Sequence, residues 1–149
     1  MSLQDDLMTA MKAAMKSKDQ MALGALRAIK SEILLAQTKT GSKEEISEEQ
    51  EIKILSKLVK QRKDSAAIYT EQNRNDLAEP ELAQAEVISQ FLPAQLSETE
   101  IEKVVLETIA STGAEGMKDM GKVMGLVNQK LAGQADGKTI SMIVKAKLV

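Results

Sequence analysis

The sequence predicts an all-α protein, with an N-terminal four-helix unit followed by a small C-terminal three-helix bundle. Apolar residues make up 43% of the 149 residues while aromatic residues make up only 1%, Tyr69 and Phe91. Sheets favour aromatic and β-branched side chains, so a core of Leu, Ile, Val, Ala and nine Met reads as helical. Met also leaves such a core adaptable. Apolar residues recur at three- and four-residue steps, the spacing that lines one face of a helix. Boxes in which Ser is followed three residues later by Asp, Gln or Glu start at Ser2, Ser47 and Ser97, and each marks a helix start.

Taken in order, Ser2 with Asp5 opens a first helix whose Leu3, Leu7, Met11 and Met15 step by four along one face. Lys16-Ser17-Lys18 gives it a basic last turn that suits the negative end of the helix dipole. Asp19 is expected to cap a second helix with Leu23, Leu26, Ile29, Ile33 and Leu34 inward, and Arg27 and Lys30 beside that stripe. Thr38 to Lys43, containing Gly41, reads as a loop. Ser47-Glu48-Glu49-Gln50 then opens the longest helix, which carries Ile52, Leu55, Leu58, Val59 and Ile68 and runs past Tyr69 to about Asn73. Asn73 to Asp76 is a turn, with Asp76 expected to cap a fourth helix that buries Leu82, Val87, Ile88 and Leu92. Pro93 ends it, because the residue before a proline is biased away from helix.

The expected boundary falls at Pro93 to Leu96, dividing an N-terminal helical domain, residues 1–93, from a C-terminal domain, residues 97–149. Ser97-Glu98-Thr99-Glu100 starts a helix with Ile101, Val104, Val105 and Ile109, closed by Thr112-Gly113. A short helix begins near Asp119, whose carboxylate is expected to cap it, and places Met120, Val123, Met124, Val127 and Leu131 on one face. Gly133 stops that helix, and Asp136 caps a last one with Ile140, Ile143, Val144 and Leu148 inward. A bundle of about 50 residues stands near the lower limit for independent folding.

Composition excludes several classes of chemistry. The chain has no His, the commonest general base and metal ligand, and no Cys for disulfide or thiolate chemistry. It holds neither a Gly-x-Ser-x-Gly elbow nor a phosphate-binding Gly-x-x-x-x-Gly-Lys-Ser/Thr loop. The acids Glu44, Glu45, Glu48, Glu49 and Glu51 are accounted for by the dipole at a helix start, so no metal is expected. No catalytic residue and no cofactor are expected either. The absence of Cys fits a reducing cytoplasm, the expected location. No apolar run approaches the ~20 residues of a membrane span, and the N-terminus lacks the pattern of a signal peptide. With a formal net charge of −2, any attraction to nucleic acid must be local.

Two features of the last third exceed what a small helical pair needs. Gly121 and Gly125 sit four apart in a helix, where each costs about 1 kcal/mol relative to Ala. Either a neighbouring helix approaches closely, which packing logic favours, or a ligand or nucleic-acid backbone does. The other feature is charge: Lys118, Lys122, Lys130, Lys138, Lys145 and Lys147 face only Glu115, Asp119 and Asp136, whereas the chain before Gly113 is acidic. A secondary basic patch, Lys57, Lys60, Arg62 and Lys63, reads as a solvated face or as a contact for phosphate or a partner, with Lys60 and Asp64 spaced as an i,i+4 pair.

Asp-Met-Gly-Lys-Val-Met-Gly at 119–125, followed by Gly-Gln-Ala-Asp-Gly-Lys at 133–138, resembles the end of the YqeY family. Lys-Gln-Arg-Lys-Asp-Ser at 60–65 and Glu-Val-Ile-Ser-Gln-Phe-Leu-Pro-Ala-Gln-Leu-Ser at 86–97 agree with the same family in the same order. A similar module forms the tail domain of the B subunit of the tRNA-dependent amidotransferase, a carbon–nitrogen ligase that uses glutamine as amide donor. The resemblance implies a non-catalytic accessory protein that binds tRNA, together with a protein partner of the aminoacyl-tRNA or amidotransferase machinery. It carries Asp119, Gly121, Lys122, Gly125, Asp136, Gly137 and Lys138 as candidate RNA contacts, joined by Lys118 and Lys130 from the same basic stretch. Scarce aromatics leave little base stacking, so backbone and shape contact to a folded RNA is the expected mode. The alternative is a protein-interaction module whose Met-bearing helices dock a partner's helix without RNA.

Overall fold

The computed structural model describes residues 2–39, 41 and 46–149. The expected loop residues Thr40, Ser42 and Lys43 and the acids Glu44 and Glu45 lie outside them. The protein is all-α: the described residues form seven α-helices and one 3₁₀ turn, with no strand. Residues Met1–Leu92 form one compact unit and Pro93–Val149 a second.

The first unit contains α1 (Leu3–Ser17), α2 (Gln20–Lys39), α3 (Glu48–Glu71) and α4 (Asn75–Ser89). Side chains set the starts of three of these helices. Ser2 Oγ accepts from the Asp5 N–H at 3.2 Å while Asp5 accepts from the Ser2 N–H at 3.3 Å. Asp19 Oδ1 accepts from the Ala22 N–H at 3.0 Å. Ser47 and Gln50 exchange the same reciprocal pair, both at 3.2 Å. Leu7, Leu23, Leu26, Ile29, Ile33, Leu55, Leu58, Val59 and Ile88 form the core.

Four residues expected inside are exposed: Met15 at 53%, Leu34 at 52%, Ile68 at 54% and Leu82 at 49%. A helix turns once in 3.6 residues, so each four-residue step overshoots by about 40°. Three such steps carry Met15 roughly 120° from Leu3, and the smaller Ala14 is buried in its place. Ala25, Ala66 and Ala85 are likewise buried, a choice that brings helix backbones close at little entropic cost. Asp76 does not cap α4. It lies inside the helix, and Arg74 Nε and Nη2 occupy its two oxygens at 3.0 Å each. The helix also ends at Ser89, short of Leu92, where the N–H groups of Phe91 and Leu92 reach back only three residues to Ile88 and Ser89. That tightening is the usual end of a helix approaching a proline.

The second unit contains α5 (Glu98–Thr112), a 3₁₀ turn (Met117–Asp119), α6 (Met120–Lys130) and α7 (Gly137–Leu148). Ser97 and Glu100 form a full capping box at 3.0 and 3.2 Å, and Gly113, at φ 66°, closes α5. Ile101, Val105, Val123, Val127, Leu131, Ile140, Val144 and Leu148 make its core. The entry segment is pinned to the α6–α7 loop. There the Leu96 N–H donates to Gln134 O at 2.9 Å and Gln95 Nε2 donates to Gly133 O at 2.6 Å. Lys147 pairs with Glu102 at 2.8 Å, tying α7 to α5. Among the described residues no helix is long and apolar enough to cross a membrane.

Candidate nucleic-acid interface

The α6–α7 hairpin gathers the candidate residues of the last third. Val123 and Val127 turn α6 toward the core, so a 3.6-residue period puts Gly121, Lys122, Gly125, Asn128 and Gln129 on the outer side, where all five are exposed. A Cβ added at Gly121 or Gly125 meets nothing within 4 Å among the described residues. Close approach of a neighbouring helix therefore does not explain these glycines. They leave a bare strip of helix backbone on the exposed side of α6.

Lys118, on the 3₁₀ turn, and Lys122 are exposed beside this strip, and Gly137 and Lys138 are exposed in the first turn of α7. The two ends are well separated. Gly116 lies 3.9 Å from Leu148 O, measured from the position its Cβ would take, so the last residue of α7 sits beside the approach to α6 and the helices run antiparallel. Lys138 then stands at the far end from Lys118, some 15–20 Å away at about 1.5 Å per residue. Among the described residues these lysines therefore do not converge on one point.

The other candidates are occupied within the fold. Asp136 accepts from the Thr139 N–H at 2.7 Å and from its hydroxyl at 3.1 Å, the expected cap. Asp119 does not cap α6: its side chain bonds none of the first-turn N–H groups and accepts instead from the Glu115 N–H at 2.8 Å. The 3₁₀ turn ahead of α6 displaces the extended backbone that a capping carboxylate needs, and Asp119 has φ −97° and ψ 5°. Lys130 Nζ donates to Thr108 Oγ1 at 3.1 Å. Thr108 is fully buried and donates its own hydrogen to Val104 O at 2.8 Å, so Lys130 completes a buried hydroxyl.

On α3, Lys57, Lys60 and Lys63 are exposed, with Lys60 held to Asp64 at 3.1 Å. Arg62 is not part of that surface. It turns inward, donating from Nε to Gln84 Oε1 at 3.0 Å and from Nη1 to Leu58 O at 3.4 Å. Gln84 in turn passes 3.4 Å from where a Cβ at Gly24 would stand. Composition alone does not reveal this polar crossing of α2, α3 and α4; its signal in the sequence is that Leu58, Arg62 and Ala66 step by four along the buried stripe. Among the described residues no three Asp or Glu are grouped to hold a metal ion, and Glu49 pairs with Lys53 at 3.1 Å.

Fold and surface together define a small all-helical protein with a bare, lysine-edged helix face. Residues 4–148 match the family model described as Yqey-like protein, and the chain belongs to the YqeY family. It is 37% identical over 73 residues to the E subunit of the glutamyl-tRNA(Gln) amidotransferase of Thermococcus gammatolerans, covering 46% of this chain and 12% of that protein. The corresponding protein of Thermococcus sibiricus is 31% identical over 88% of this chain and 22% of its own length. Similarity also extends to altered inheritance of mitochondria protein 41, mitochondrial, of Pyrenophora tritici-repentis, 32% identical over 95% of this chain and 80% of that protein. The chain thus spans less than a quarter of the amidotransferase subunits it matches.

Proposed function

We propose that this protein is a non-catalytic accessory module that binds folded tRNA along the α6–α7 hairpin and serves amidotransferase or aminoacyl-tRNA machinery. The observation that carries the reading is the open strip at Gly121 and Gly125, bordered by Lys118 and Lys122. Two exposed helix glycines cost stability and give nothing back inside the molecule, which favours an external backbone lying against them. Lysines beside that strip are suited to phosphates, and phosphate contacts position RNA without reading its bases. Similarity to proteins whose names specify a tRNA amidotransferase supports tRNA as the RNA. Amide transfer itself falls to other components, since a chain without His or Cys lacks the usual nucleophile and base. A reducing compartment such as the cytoplasm is the proposed setting.

Titration with total tRNA tests this. Binding should weaken steeply with salt, and Lys118→Glu, Lys122→Glu and Lys138→Glu together should abolish it, while Lys130→Ala leaves it within about twofold. Unchanged affinity in the triple variant would show that the surface is wrongly assigned. The second reading, a docking module for a partner helix, draws on the exposed Met8, Leu34, Leu35 and Met142. It requires partner capture that salt does not weaken, with no RNA signal.

A further inference from the structure

We infer that Asp119 is a positioning residue: its carboxylate clasps the Glu115–Asp119 loop and thereby fixes Lys118 for phosphate contact. The inference rests on the tRNA-binding reading and concerns how that surface is built. An acid in the middle of a phosphate-binding stretch is a physical problem, since it repels the ligand its neighbours attract. The structure offers a reason for its presence.

Between α5 and α6 the chain passes two glycines with positive φ, Gly113 at 66° and Gly116 at 88°. Glycine has the largest backbone freedom to lose, so this segment is costly to hold in one shape. Asp119 Oδ2 closes it by accepting from the Glu115 N–H at 2.8 Å, a charge-assisted bond across four residues. Inside the ring so formed, the Asp119 N–H donates to Gly116 O at 3.2 Å, and just beyond it the Met120 N–H reaches back to Met117 O. Lys118 lies within that ring, exposed, with no partner of its own among the described hydrogen bonds and ion pairs. Its backbone direction is therefore set by a carboxylate one residue away. Asp119 satisfies a donor of the protein and is left with little reason to face the RNA.

Asn at position 119 separates this role from a direct or charge-based one, because its side-chain oxygen can still accept from Glu115 while its charge is gone. Asp119→Ala should weaken tRNA binding about tenfold and reduce the salt slope by about one phosphate. Asp119→Asn should return affinity to within about twofold of the unmodified protein. In the Asp119→Ala background, Lys118→Ala should cost little more, as expected of two residues acting through one contact. Amide exchange gives a readout without RNA: the Glu115 N–H should be protected in the unmodified and Asn proteins and exposed in the Ala protein. Equal weakness of the Asn and Ala variants, additive losses with Lys118→Ala, or an unprotected Glu115 amide in the unmodified protein would each overturn the clasp. Failure of the unmodified protein to bind tRNA, with Glu115 still protected, would instead overturn the functional reading and the role built on it.

Discussion

Replacing Gly125 by Ala tests the open face of α6 from two directions. Gly125 lies in the helix interior, outside the set of positive-φ glycines, and an added methyl meets nothing within 4 Å. With neither strain nor clash, what remains is the backbone entropy that glycine loses on folding, so Ala should stabilise by about 1 kcal/mol. In a unit of this size that shifts the thermal midpoint up by roughly 4–8 °C. Gly121, the second residue of α6, should yield a smaller gain because it sits at the helix end. Amide exchange at Val123 and Val127 is the appropriate assay, since it reports the second unit without interference from unfolding of the first. The same methyl would occupy the space claimed for a sugar–phosphate backbone, so tRNA affinity should fall by about tenfold, near 1.4 kcal/mol. Loss of stability in Gly125→Ala would mean that the strip is not open. A gain in stability with unchanged affinity would remove the glycines from the binding surface.

Three further outcomes follow from particular contacts. Ser97→Ala removes one half of a capping box and should cost about 1 kcal/mol in urea unfolding of the second unit, with Ser97→Gly costing only a few tenths. Arg62→Ala breaks the part-buried bond to Gln84 and should destabilise by about 1–2 kcal/mol, whereas Lys60→Ala loses only a surface pair and should cost less than about 0.5 kcal/mol. Arg74 holds the Asp76 carboxyl below the ordinary 3.8, so its contribution is present above that pH and is lost as pH falls through the lowered value. The stability difference between the unmodified protein and Asp76→Asn should therefore shrink on acidification below pH ~4, and shrink with salt because the pair is exposed.

Helix starts were the most legible part of the chain. Ser2, Ser47 and Ser97 each sit three residues before an acceptor side chain, a short-range arrangement that needs no tertiary partner. Asp19 and Asp136 were equally readable, because a carboxylate at a helix start finds its N–H within three residues. Asp119 and Asp76 were not. Each has a competing partner, the Glu115 N–H or the Arg74 guanidinium, and nothing in spacing alone ranks a local cap against a local clasp. Arg62 shows the same limit from the other side: composition groups it with Lys57, Lys60 and Lys63, while helix phase carries it inward. The purpose of Gly121 and Gly125 was ambiguous for a different reason. A glycine pair looks alike whether the neighbour is a helix or solvent, and only the position of α6 against α5 and α7 decides.

Charge placement decides how this surface would meet RNA. Residues 93–149 carry seven Lys and seven Asp or Glu, so the unit that holds the open strip has no formal net charge. The signs are nevertheless segregated: Glu98, Glu100, Glu102 and Glu107 outnumber Lys103 on α5, while α6, α7 and their approach carry the other six lysines. Packed helix axes lie about 8–10 Å apart, close to the Debye length of roughly 8 Å at physiological salt. At low salt an approaching polyanion feels both signs and their fields largely cancel; at higher salt both signs are screened, the acids of α5 more than the nearer lysines. The association rate should therefore change little with salt, and the salt dependence of affinity should appear in dissociation, where phosphates already in contact exchange for counterions. Stopped-flow mixing with tRNA at two ionic strengths separates these. An association rate that falls as steeply as the affinity would mean that the lysine face dominates the field at encounter, and the balance of charge across the bundle would then have no kinetic consequence.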